Sequence, residues 1–398
     1  MKKRHNPAVA LTGIRYDDPY RGVNPSISDS ATFSFEKASY MKATFEGKTE
    51  GMYLYTRHSS PTNRYLERAL AAMEGTEDAY VTASGMGAIS TAILQICRTG
   101  DHIVAGRTIY GGTYAFLKNY LPKLGINTTF VDMTDLELVG KAITKDTKII
   151  YTESVSNPLL EISDIPALAE IAHSHGAQLV VDNTFSPLIM TPHEWGADIV
   201  VHSLTKFING MNDTVGGVVC ADADFVNAAR SVNDGAAMLL GPVMDSIRSA
   251  SILKNTKTLP VRMRKHSGNA LYIARELERA GYRTGYPGLE SHRGHDTFVK
   301  LAHPEFGSGG MMTIDLGTLE RAEKFMEYMQ EKGVGELAVS LGFYRTLFNA
   351  PGTGTSSEVP EEEQAKMGLT PGLVRFSMGL DDDIEHTWQL MKGCLERV

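Results

Sequence analysis

The sequence predicts an α/β fold with a mostly parallel central sheet, followed by a smaller α+β unit. From about residue 59, short apolar segments alternate with helical ones. β-Branched runs such as DIVVH and QLVVDN are typical of strands buried on both faces of a parallel sheet. After about residue 255 this alternation ends. We therefore divide the chain into an N-terminal arm (1–58), an α/β domain (59–255) and a C-terminal α+β domain (256–398).

The arm has no long periodic segment and is rich in Ser, Thr, Gly and Tyr. Such a segment cannot form a core of its own, so we expect it to pack on another surface. In an oligomer that surface would belong to a neighbouring subunit.

The elements of the α/β domain are marked by their period and by their end signals. The first helix starts at Pro61 and stops at Gly75, and SDIPALAEIAHSHG is a helix capped by Ser163 or Asp164. Further helices are predicted at MGAISTAILQICRTG and at TYAFLKNYLPKLG, the second interrupted or ended near its proline. Strands are predicted at AYVTASG, HIVAG, NTTFVD, TKIIYTE, QLVVDN and DIVVH.

The C-terminal domain reads as longer amphipathic helices with isolated strands between them. Helices are predicted at NALYIARELERAG, RAEKFMEYMQEKG and DDDIEHTWQLMKGCLE. Strands are predicted at FVKLAHP, GGMMTIDLG and LVRFSMGL.

Composition and charge exclude several classes of protein. The 398 residues are 42% hydrophobic and carry a net charge of −8, so there is material for a large core and no basic excess for nucleic acid. No apolar run approaches the roughly 20 residues that span a membrane, and the N-terminus lacks the apolar core of a secretory signal. The three scattered cysteines suggest neither a disulfide framework nor a metal site, so we expect no metal and a cytoplasmic location.

Two charged residues follow buried strands, where a charge is unfavourable unless it is paired. Asp182 ends the strand QLVVDN, and Lys206 comes one helix and one strand later, just after DIVVH. Ligands of open α/β sheets bind beyond the carboxyl ends of the strands, so both side chains are expected to face one cleft. A partly buried lysine has a lowered pKa and can attack a carbonyl. Taken singly, a structural ion pair explains either residue more simply.

Small, hydroxylic and aromatic residues occupy other strand ends. SGMGA (84–88) lies between a strand and a helix, where backbone N–H groups can bind an anion, although a plain tight turn is at least as compatible. Ser203 and Thr205 flank the lysine, and their hydroxyls can bind phosphate. Tyr110 lies at a third strand-to-helix junction, as a lid over the core or as a ring that stacks on a flat cofactor.

Together these groups suit a flat, phosphorylated aldehyde with a basic ring nitrogen, which is pyridoxal 5′-phosphate (PLP). Glycines and hydroxyls would take the phosphate, Tyr110 the ring, Asp182 the ring nitrogen and Lys206 the aldehyde. The Asp–pyridinium pair makes PLP an electron sink. A dinucleotide-binding domain fits less well, because SGMGA lacks the GxGxxG pattern and no acidic residue ends the next strand, HIVAG.

Here the sequence resembles the Cys/Met-metabolism PLP enzymes of fold type I, which include methionine γ-lyase, cystathionine γ-lyase, cystathionine γ-synthase and O-acetylhomoserine sulfhydrylase. The resemblance covers nearly the whole chain, and its most specific block runs from ESVSNPLLEISDIPALAEIAH to Lys206. Its other carriers are YTRHSSPTNRYLE, SGMGAI, YGGTY, VVDNTF, HSLTKFING and LVRFSMGLDD. It implies an aspartate aminotransferase-like fold, an amino-acid substrate and a homotetramer of two active dimers.

The resemblance also implies a role for each matching residue. Lys206 would be the Schiff-base lysine and would move protons at Cα and Cβ, while Tyr110 would serve as a general acid or base near the leaving group. Asp182 would hold the pyridine nitrogen. The phosphate would be bound by Gly85, Met86, Ser203 and Thr205, and by Tyr55 and Arg57 of a neighbouring subunit. The substrate carboxylate would be held by Asn157, which also contacts the cofactor, and by Arg375, with Ser340 close to the substrate and the lysine.

Two departures from the family pattern bear on the substrate. Gly112 stands where methionine γ-lyases typically carry cysteine, so a typical methionine pocket would be absent, unless this is drift within a glycine-rich turn. Segment 340–358 is atypical, and Phe343 and Arg345 stand where relatives have a small or acidic residue followed by glutamate. A basic residue facing the distal end of the substrate would disfavour a distal ammonium, but Arg345 could equally be a solvated surface residue.

These features leave the reaction open between two types. The first is γ-elimination from an L-amino acid with a γ leaving group, as in methionine γ-lyase or with an unusual substrate such as canavanine. The second is γ-replacement, as in an O-acetyl- or O-succinylhomoserine sulfhydrylase or in cystathionine γ-synthase. A non-catalytic PLP-binding protein is a third possibility, against which the complete set Lys206, Asp182, Tyr110 and Arg375 argues.

Overall fold

A seven-stranded sheet forms the centre of the molecule in the computed structural model, which describes residues 4–46, 48–49, 51–354 and 359–398. Its strands are β1 (Asp78–Thr82), β2 (His102–Gly106), β3 (Asn127–Val131), β4 (Thr147–Glu153), β5 (Gln178–Asp182), β6 (Ile199–Ser203) and β7 (Gly217–Ala221). Their order is β1-β7-β6-β5-β4-β2-β3, and β7 alone runs antiparallel to its neighbours. The mostly parallel central sheet predicted from the sequence is confirmed.

Both faces of this sheet are buried, which explains the β-branched runs. Ile149 and Val180 pack in one core cluster, whereas their chain neighbours Ile150 and Val181 pack in another. Consecutive side chains of a strand point to opposite faces, so an apolar residue is required at every position.

The N-terminal segment contributes two short helices, α1 (Pro7–Gly13) and α2 (Ala38–Phe45). Leu11 of α1 is buried in the core of the α/β domain of its own chain. Met41 and Phe45 of α2 are largely exposed.

Eight helices follow in the α/β domain: α3 (Pro61–Glu74), α4 (Gly85–Ile96), α5 (Gly111–Ala115), α6 (Leu136–Ala142), α7 (Ile165–Ser174), α8 (Ala223–Ala229), α9 (Ala236–Leu240) and α10 (Ser246–Thr256). Side chains of Ser60, Ser84 and Asp164 cap α3, α4 and α7. The segment predicted as one helix after Tyr110 is shorter: α5 gives way to a π-helical turn (Phe116–Tyr120) and a 3₁₀ turn (Leu121–Leu124). A proline in that second turn lacks the N–H that an α-helix needs.

The C-terminal part has its own sheet and its own core cluster. Its helices are α11 (Leu259–Arg279), α12 (His295–Leu301), α13 (Leu319–Glu331), α14 (Glu361–Met367) and α15 (Ile384–Leu395). Its strands are β8 (Arg283–Gly285), β9 (Met311–Asp315), β10 (Glu336–Leu337), β11 (Leu347–Asn349) and β12 (Leu373–Ser377), in the order β10-β11-β12-β9-β8. Within the described ranges no helix combines the length and the apolarity that crossing a membrane requires.

The prediction of a strand at FVKLAHP was wrong, since its first four residues are the end of α12. Phe298 and Leu301 are buried, whereas Val299 is 59% exposed. Buried positions three residues apart are the helical period, which a run of only four residues does not distinguish from a strand.

Candidate active site

A cavity of about 320 Å³ lies at the carboxyl ends of β4, β5 and β6, against β12 of the C-terminal sheet. Its described lining includes ten of the fifteen residues singled out from the sequence. These are Gly85, Met86, Tyr110, Asn157, Asp182, Ser203, Thr205, Lys206, Ser340 and Arg375. The fold therefore gathers in one cleft residues that lie up to 290 positions apart in the chain.

Lys206 follows β6 and extends its amine into the cleft. Its Nζ donates a hydrogen bond to Oγ of Ser340 at 3.0 Å. Burial, and then the positive charge of Arg375, lower the pKa of Lys206 to about 8. An amine with such a pKa is partly neutral near physiological pH, which a nucleophile or a general base requires.

Asp182 ends β5, and its carboxylate is held in place by Thr184. The backbone N–H of Thr184 donates to Oδ1 at 2.9 Å. Burial raises the pKa of Asp182. The hydrogen bonds from Thr184 and the electrostatic effect of the nearby His202 oppose that rise. His202 contacts Glu74 at 2.7 Å, and both side chains are almost fully buried. A buried anion in this place suits a protonated ring nitrogen as its partner.

Glu153 is a site residue that the sequence reasoning missed. It ends β4 directly beside Asp182, and its two carboxylate oxygens accept the backbone N–H groups of Tyr110 and Asn157, each at 2.7 Å. Burial and the charge of Asp182 raise its pKa well above the ordinary value. The signal was present, because TKIIYTE ends in a carboxylate at a strand terminus in the same way as QLVVD.

The start of α4 packs closely against the end of β6. A Cβ atom on Gly85 would lie 2.8 Å from Cβ of Ser203, so only glycine allows the two backbones to approach this closely. The Ser84 hydroxyl caps α4 by accepting the N–H of Gly87 at 2.9 Å. The first turn of a helix offers N–H groups to an anion such as phosphate.

Tyr110 precedes α5, and its ring is 42% exposed in the cleft. A Cβ atom on Gly112 would lie 2.6 Å from Cε1 of that ring. Gly112 does not line the cleft itself, but its lack of a side chain allows Tyr110 to lie across the start of α5.

Arg375 reaches the cleft from β12 of the C-terminal sheet. Its Nη1 donates to Oδ1 of Asn157 at 2.7 Å, which links the two sheets across the cleft. Arg375 is only 3% exposed, and burial lowers its pKa to about 10. A buried guanidinium that faces a cavity gains most from an anionic ligand such as a carboxylate.

The other four predicted residues lie outside the described lining of this cleft. Arg57 donates from Nη1 to the carbonyl oxygen of Met238 at 2.6 Å, and its guanidinium carbon lies 5.5 Å from the ring centroid of the 45% exposed Tyr55. Phe343 packs against Tyr344. Arg345 pairs with Glu336 at 2.6 Å, and both side chains are more than 40% exposed. The predicted roles of these residues stay predictions, and residues 355–358 of the atypical segment lie outside the described residues.

The cleft fits PLP in the types of group that it holds. It combines an amine of lowered pKa, a buried carboxylate, an exposed aromatic ring and a helix N-terminus packed against hydroxylic residues. In the described part of the chain no group of three or more His, Cys, Asp or Glu side chains could hold a metal ion.

Comparisons with known proteins agree with this geometry. A family model described as Cys/Met metabolism PLP-dependent enzyme matches residues 8–391. Methionine gamma-lyase of Arabidopsis thaliana is 42% identical over 390 residues, which cover 96% of this chain and 88% of that protein. Cystathionine gamma-lyase of Bacillus subtilis (strain 168) is 37% identical over 375 residues, which cover 93% of this chain and 93% of that protein.

A solved structure resembles the whole chain. A putative O-acetylhomoserine (thiol)-lyase of Campylobacter jejuni, crystallised with N′-pyridoxyl-lysine-5′-monophosphate, superposes with a TM-score of 0.91 at 28% identity, covering 98% of this chain and 100% of that one. These matches confirm the predicted fold class and the predicted PLP cofactor.

Proposed function

The chain belongs to the Cys/Met metabolism family of PLP-dependent enzymes, and we propose that it eliminates the γ-substituent of L-methionine or of a close, uncharged analogue. The names of its relatives support a lyase of γ-substituted amino acids. The structural observation that carries the choice of substrate is the distribution of charge in the cleft.

Arg375 is the one arginine among the described residues that line the cleft. It serves one carboxylate, which every α-amino acid has. The two carboxylates of the lining, Glu153 and Asp182, already accept backbone N–H groups. Much of the remaining wall is apolar and includes Ile89, Val155, Phe185, Val215 and Leu341. An apolar wall favours a thioether methyl group over the charged distal end of cystathionine or of a succinyl ester, because an unpaired charge there would lose its hydration.

The proposed work of the protein is to hold the substrate and to move protons. Arg375 and Asn157 hold the α-carboxylate, which fixes the Cα–H bond relative to Lys206. When bound, PLP withdraws electrons and so acidifies the hydrogens on Cα and Cβ of the substrate. Lys206 removes the Cα proton and then a Cβ proton at Nζ, and Tyr110 protonates the departing sulfur. Asp182 supplies the negative charge that the cofactor ring nitrogen needs.

The family also suggests an assembly and a location. We propose a homotetramer of two active dimers, in which Tyr55 and Arg57 of one subunit complete the phosphate site of its partner. Exposed apolar residues on α2 and α9, such as Phe45 and Leu240, are the kind of surface that subunits bury. A cytoplasmic location agrees with the three buried free cysteines, Cys97, Cys220 and Cys394.

A γ-replacement reaction is the second candidate, since the superposed structure is described as an O-acetylhomoserine (thiol)-lyase. Replacement uses the same carboxylate clamp and the same proton transfers. Replacement adds a second nucleophile at Cγ and keeps the amino group, whereas elimination consumes water and releases ammonia and a keto acid.

The test is a turnover panel with purified, yellow protein. It offers methionine, homocysteine, cystathionine, O-acetylhomoserine, O-succinylhomoserine and canavanine, each with and without sulfide, cysteine or a thiol. We expect ammonia, keto acid and methanethiol from methionine without an added nucleophile. Product only with a nucleophile would establish replacement, and turnover of canavanine alone would overturn the assignment of an uncharged substrate.

The Lys206→Ala variant is the matched control for this panel. It should lose the visible absorbance of the lysine-bound cofactor and all turnover above background, because no other described amine lines the cleft. Retained turnover would exclude Lys206 as the base.

A further inference from the structure

A second hydrogen bond continues the contact between Lys206 and Ser340. Oγ of Ser340 accepts from Nζ of Lys206 at 3.0 Å and donates to Oδ1 of Asn212 at 2.9 Å. Asn212 and Ser340 are 128 residues apart, and Asn212 belongs to the loop that follows the lysine.

Both ends of this second bond have unusual backbone conformations. Ser340 has φ +101° and Asn212 has φ +56°, a region that residues other than glycine rarely adopt, although asparagine does so more often than most. Such conformations are unfavourable and persist where the surrounding structure enforces them, often at functional sites.

Close packing enforces the conformation of the Ser340 segment. A Cβ atom on Gly342 would lie 2.4 Å from the backbone nitrogen of Phe207 and 2.8 Å from the carbonyl carbon of Lys206. The segment 340–342 is therefore pressed onto the backbone that carries the lysine, and the N–H of Gly342 is fixed by the Ser377 hydroxyl at 2.8 Å.

We propose that Asn212 is a positioning residue that sets the direction of the hydrogen bond between Ser340 and Lys206. A serine hydroxyl has one proton. When Oδ1 of Asn212 accepts the hydrogen bond from that proton, Ser340 can only accept from Lys206, and the lone pair of the neutral amine stays free. Without Asn212 the hydroxyl can turn and donate to Nζ, which occupies the lone pair that has to accept a substrate proton.

This inference rests on the proposed role of Lys206 as the base. The titratable and charged groups around that amine in the cleft are Tyr110, Glu153, Asp182 and Arg375, and Asp213 accepts a hydrogen bond from Asn209 beside Asn212. The test changes none of them. The bond to Asn212 lies at an exposed position, so water can replace it in part and the expected effect is moderate.

Two variants separate the side chain of Asn212 from its backbone. Asn212→Gly keeps a residue that adopts positive φ readily but removes the acceptor. Asn212→Asp keeps an acceptor, and its carboxylate cannot donate. The readouts are the exchange of the substrate Cα hydrogen in D₂O, kcat and KM for methionine, and the visible spectrum of the holoenzyme without substrate.

We expect Asn212→Gly to lower Cα exchange and kcat roughly five- to tenfold, with KM within about twofold and the spectrum unchanged. Asn212→Asp should stay within about twofold of the wild type at neutral pH. In the pH profile of kcat, the rise on the acid side should lie at higher pH for Asn212→Asp than for the wild type. The added negative charge raises the pKa of Lys206, because it favours the protonated amine.

Unchanged exchange in Asn212→Gly would overturn the proposal. So would an equal loss in both variants accompanied by loss of cofactor absorbance, because that pattern is a structural defect. Cα exchange also separates this test from the proposed function. If methionine exchanges its Cα hydrogen but is not eliminated, the proposed γ-elimination is wrong. If the Lys206→Ala variant still exchanges that hydrogen, Lys206 is not the base.

Discussion

At the scale of single residues, the protonation state of Lys206 is set by burial and by a neighbouring positive charge. Burial disfavours the ammonium, and the neighbouring Arg375 disfavours it further. Arg375 thus has two effects: it attracts the substrate carboxylate, and it helps to keep the lysine neutral. Once a carboxylate binds, part of that second effect is cancelled, so proton affinity at Nζ rises when the substrate is in place.

Replacing Arg375 by leucine tests both effects. KM for methionine should rise roughly 10- to 100-fold, since hydrogen bonds to a charged group contribute about 1.5–3 kcal/mol. The rate at which cofactor-free protein captures PLP needs a neutral amine, so in the wild type it should rise with pH through about 8 and then level off. In Arg375→Leu the pKa of Lys206 rises and this midpoint should move to higher pH.

The control is Arg283→Leu, which removes the same charge from an 80% exposed side chain that pairs with Asp315 at the far edge of the C-terminal sheet. An identical midpoint in Arg375→Leu and Arg283→Leu would show that burial alone lowers the pKa of Lys206.

Arg345 gives a second prediction at this scale. The family resemblance left Arg345 either near the distal end of the substrate or on the solvated surface. The structure pairs it with Glu336 at an exposed position outside the described cleft lining. Exposed ion pairs contribute about 0.2–1 kcal/mol. We expect Arg345→Glu to lower the unfolding free energy by roughly 1 kcal/mol and to leave the ratio of kcat/KM for methionine over cystathionine unchanged. A change in that ratio would indicate that Arg345 contacts the substrate.

At the scale of elements, a helix, strand or contact can be predicted from the sequence only where neighbouring residues in the chain determine it. Buried strands such as β5 and β6 require an apolar residue at every position, and this appears directly in the sequence. The end of α12 cannot be recognised as a helix in this way, because its few apolar residues fit the period of a strand as well as that of a helix. The bond between Ser340 and Asn212 joins two loops 128 residues apart and leaves no local signal. Arg375 could be assigned only through the family resemblance, since its side chain reaches the cleft from a different sheet.

Two glycines with similar backbone angles allow a test of how closely segment 340–342 packs against the backbone that carries Lys206. Gly342 and Gly333 have φ +79° and +73°, but a Cβ atom would meet the Phe207 backbone only at Gly342, and nothing within 4 Å at Gly333. Alanine at either position carries the left-handed penalty of about 1–2 kcal/mol. Gly342→Ala should in addition displace the Lys206 segment, and so lower the melting temperature further and weaken PLP binding at least tenfold. Equal melting temperatures and equal PLP affinities would show that the segments separate without penalty.

At the scale of the whole molecule, the cleft exists only where two sheets meet. β4 and β5 supply the two carboxylates, and the lysine lies three residues after the end of β6. β12 supplies the guanidinium, which Asn157 holds from the other side. A second link lies behind the cleft, where Glu161 pairs with Arg293 of the C-terminal part and accepts the Thr108 hydroxyl two residues before Tyr110. Movement of one sheet relative to the other would therefore shift the carboxylate clamp and Tyr110 together.

The N-terminal segment extends this argument beyond one chain. Arg57 is held by the carbonyl oxygen of Met238, away from the cleft of its own subunit. If it binds the phosphate of a partner, a subunit lacking Arg57 and a subunit lacking Lys206 have complementary defects. Arg57→Ala protein should have low activity and Lys206→Ala protein none. A dimer containing one of each has one intact site, formed by the wild-type lysine of one chain and the wild-type arginine of the other.

Mixing the two variants under conditions that exchange subunits should therefore recover up to about a quarter of the wild-type activity. Half of the randomly formed dimers are hybrids, and each hybrid has one intact site out of two. Differently tagged variants, purified through both tags, verify that hybrids have formed, and each variant mixed with itself sets the baseline. If hybrids form without recovery above that baseline, Arg57 acts within its own chain, and its contact with Met238 would then be its whole role. Recovery would establish that each active site is shared between two chains, and that Arg57 is a part of the arm that completes it.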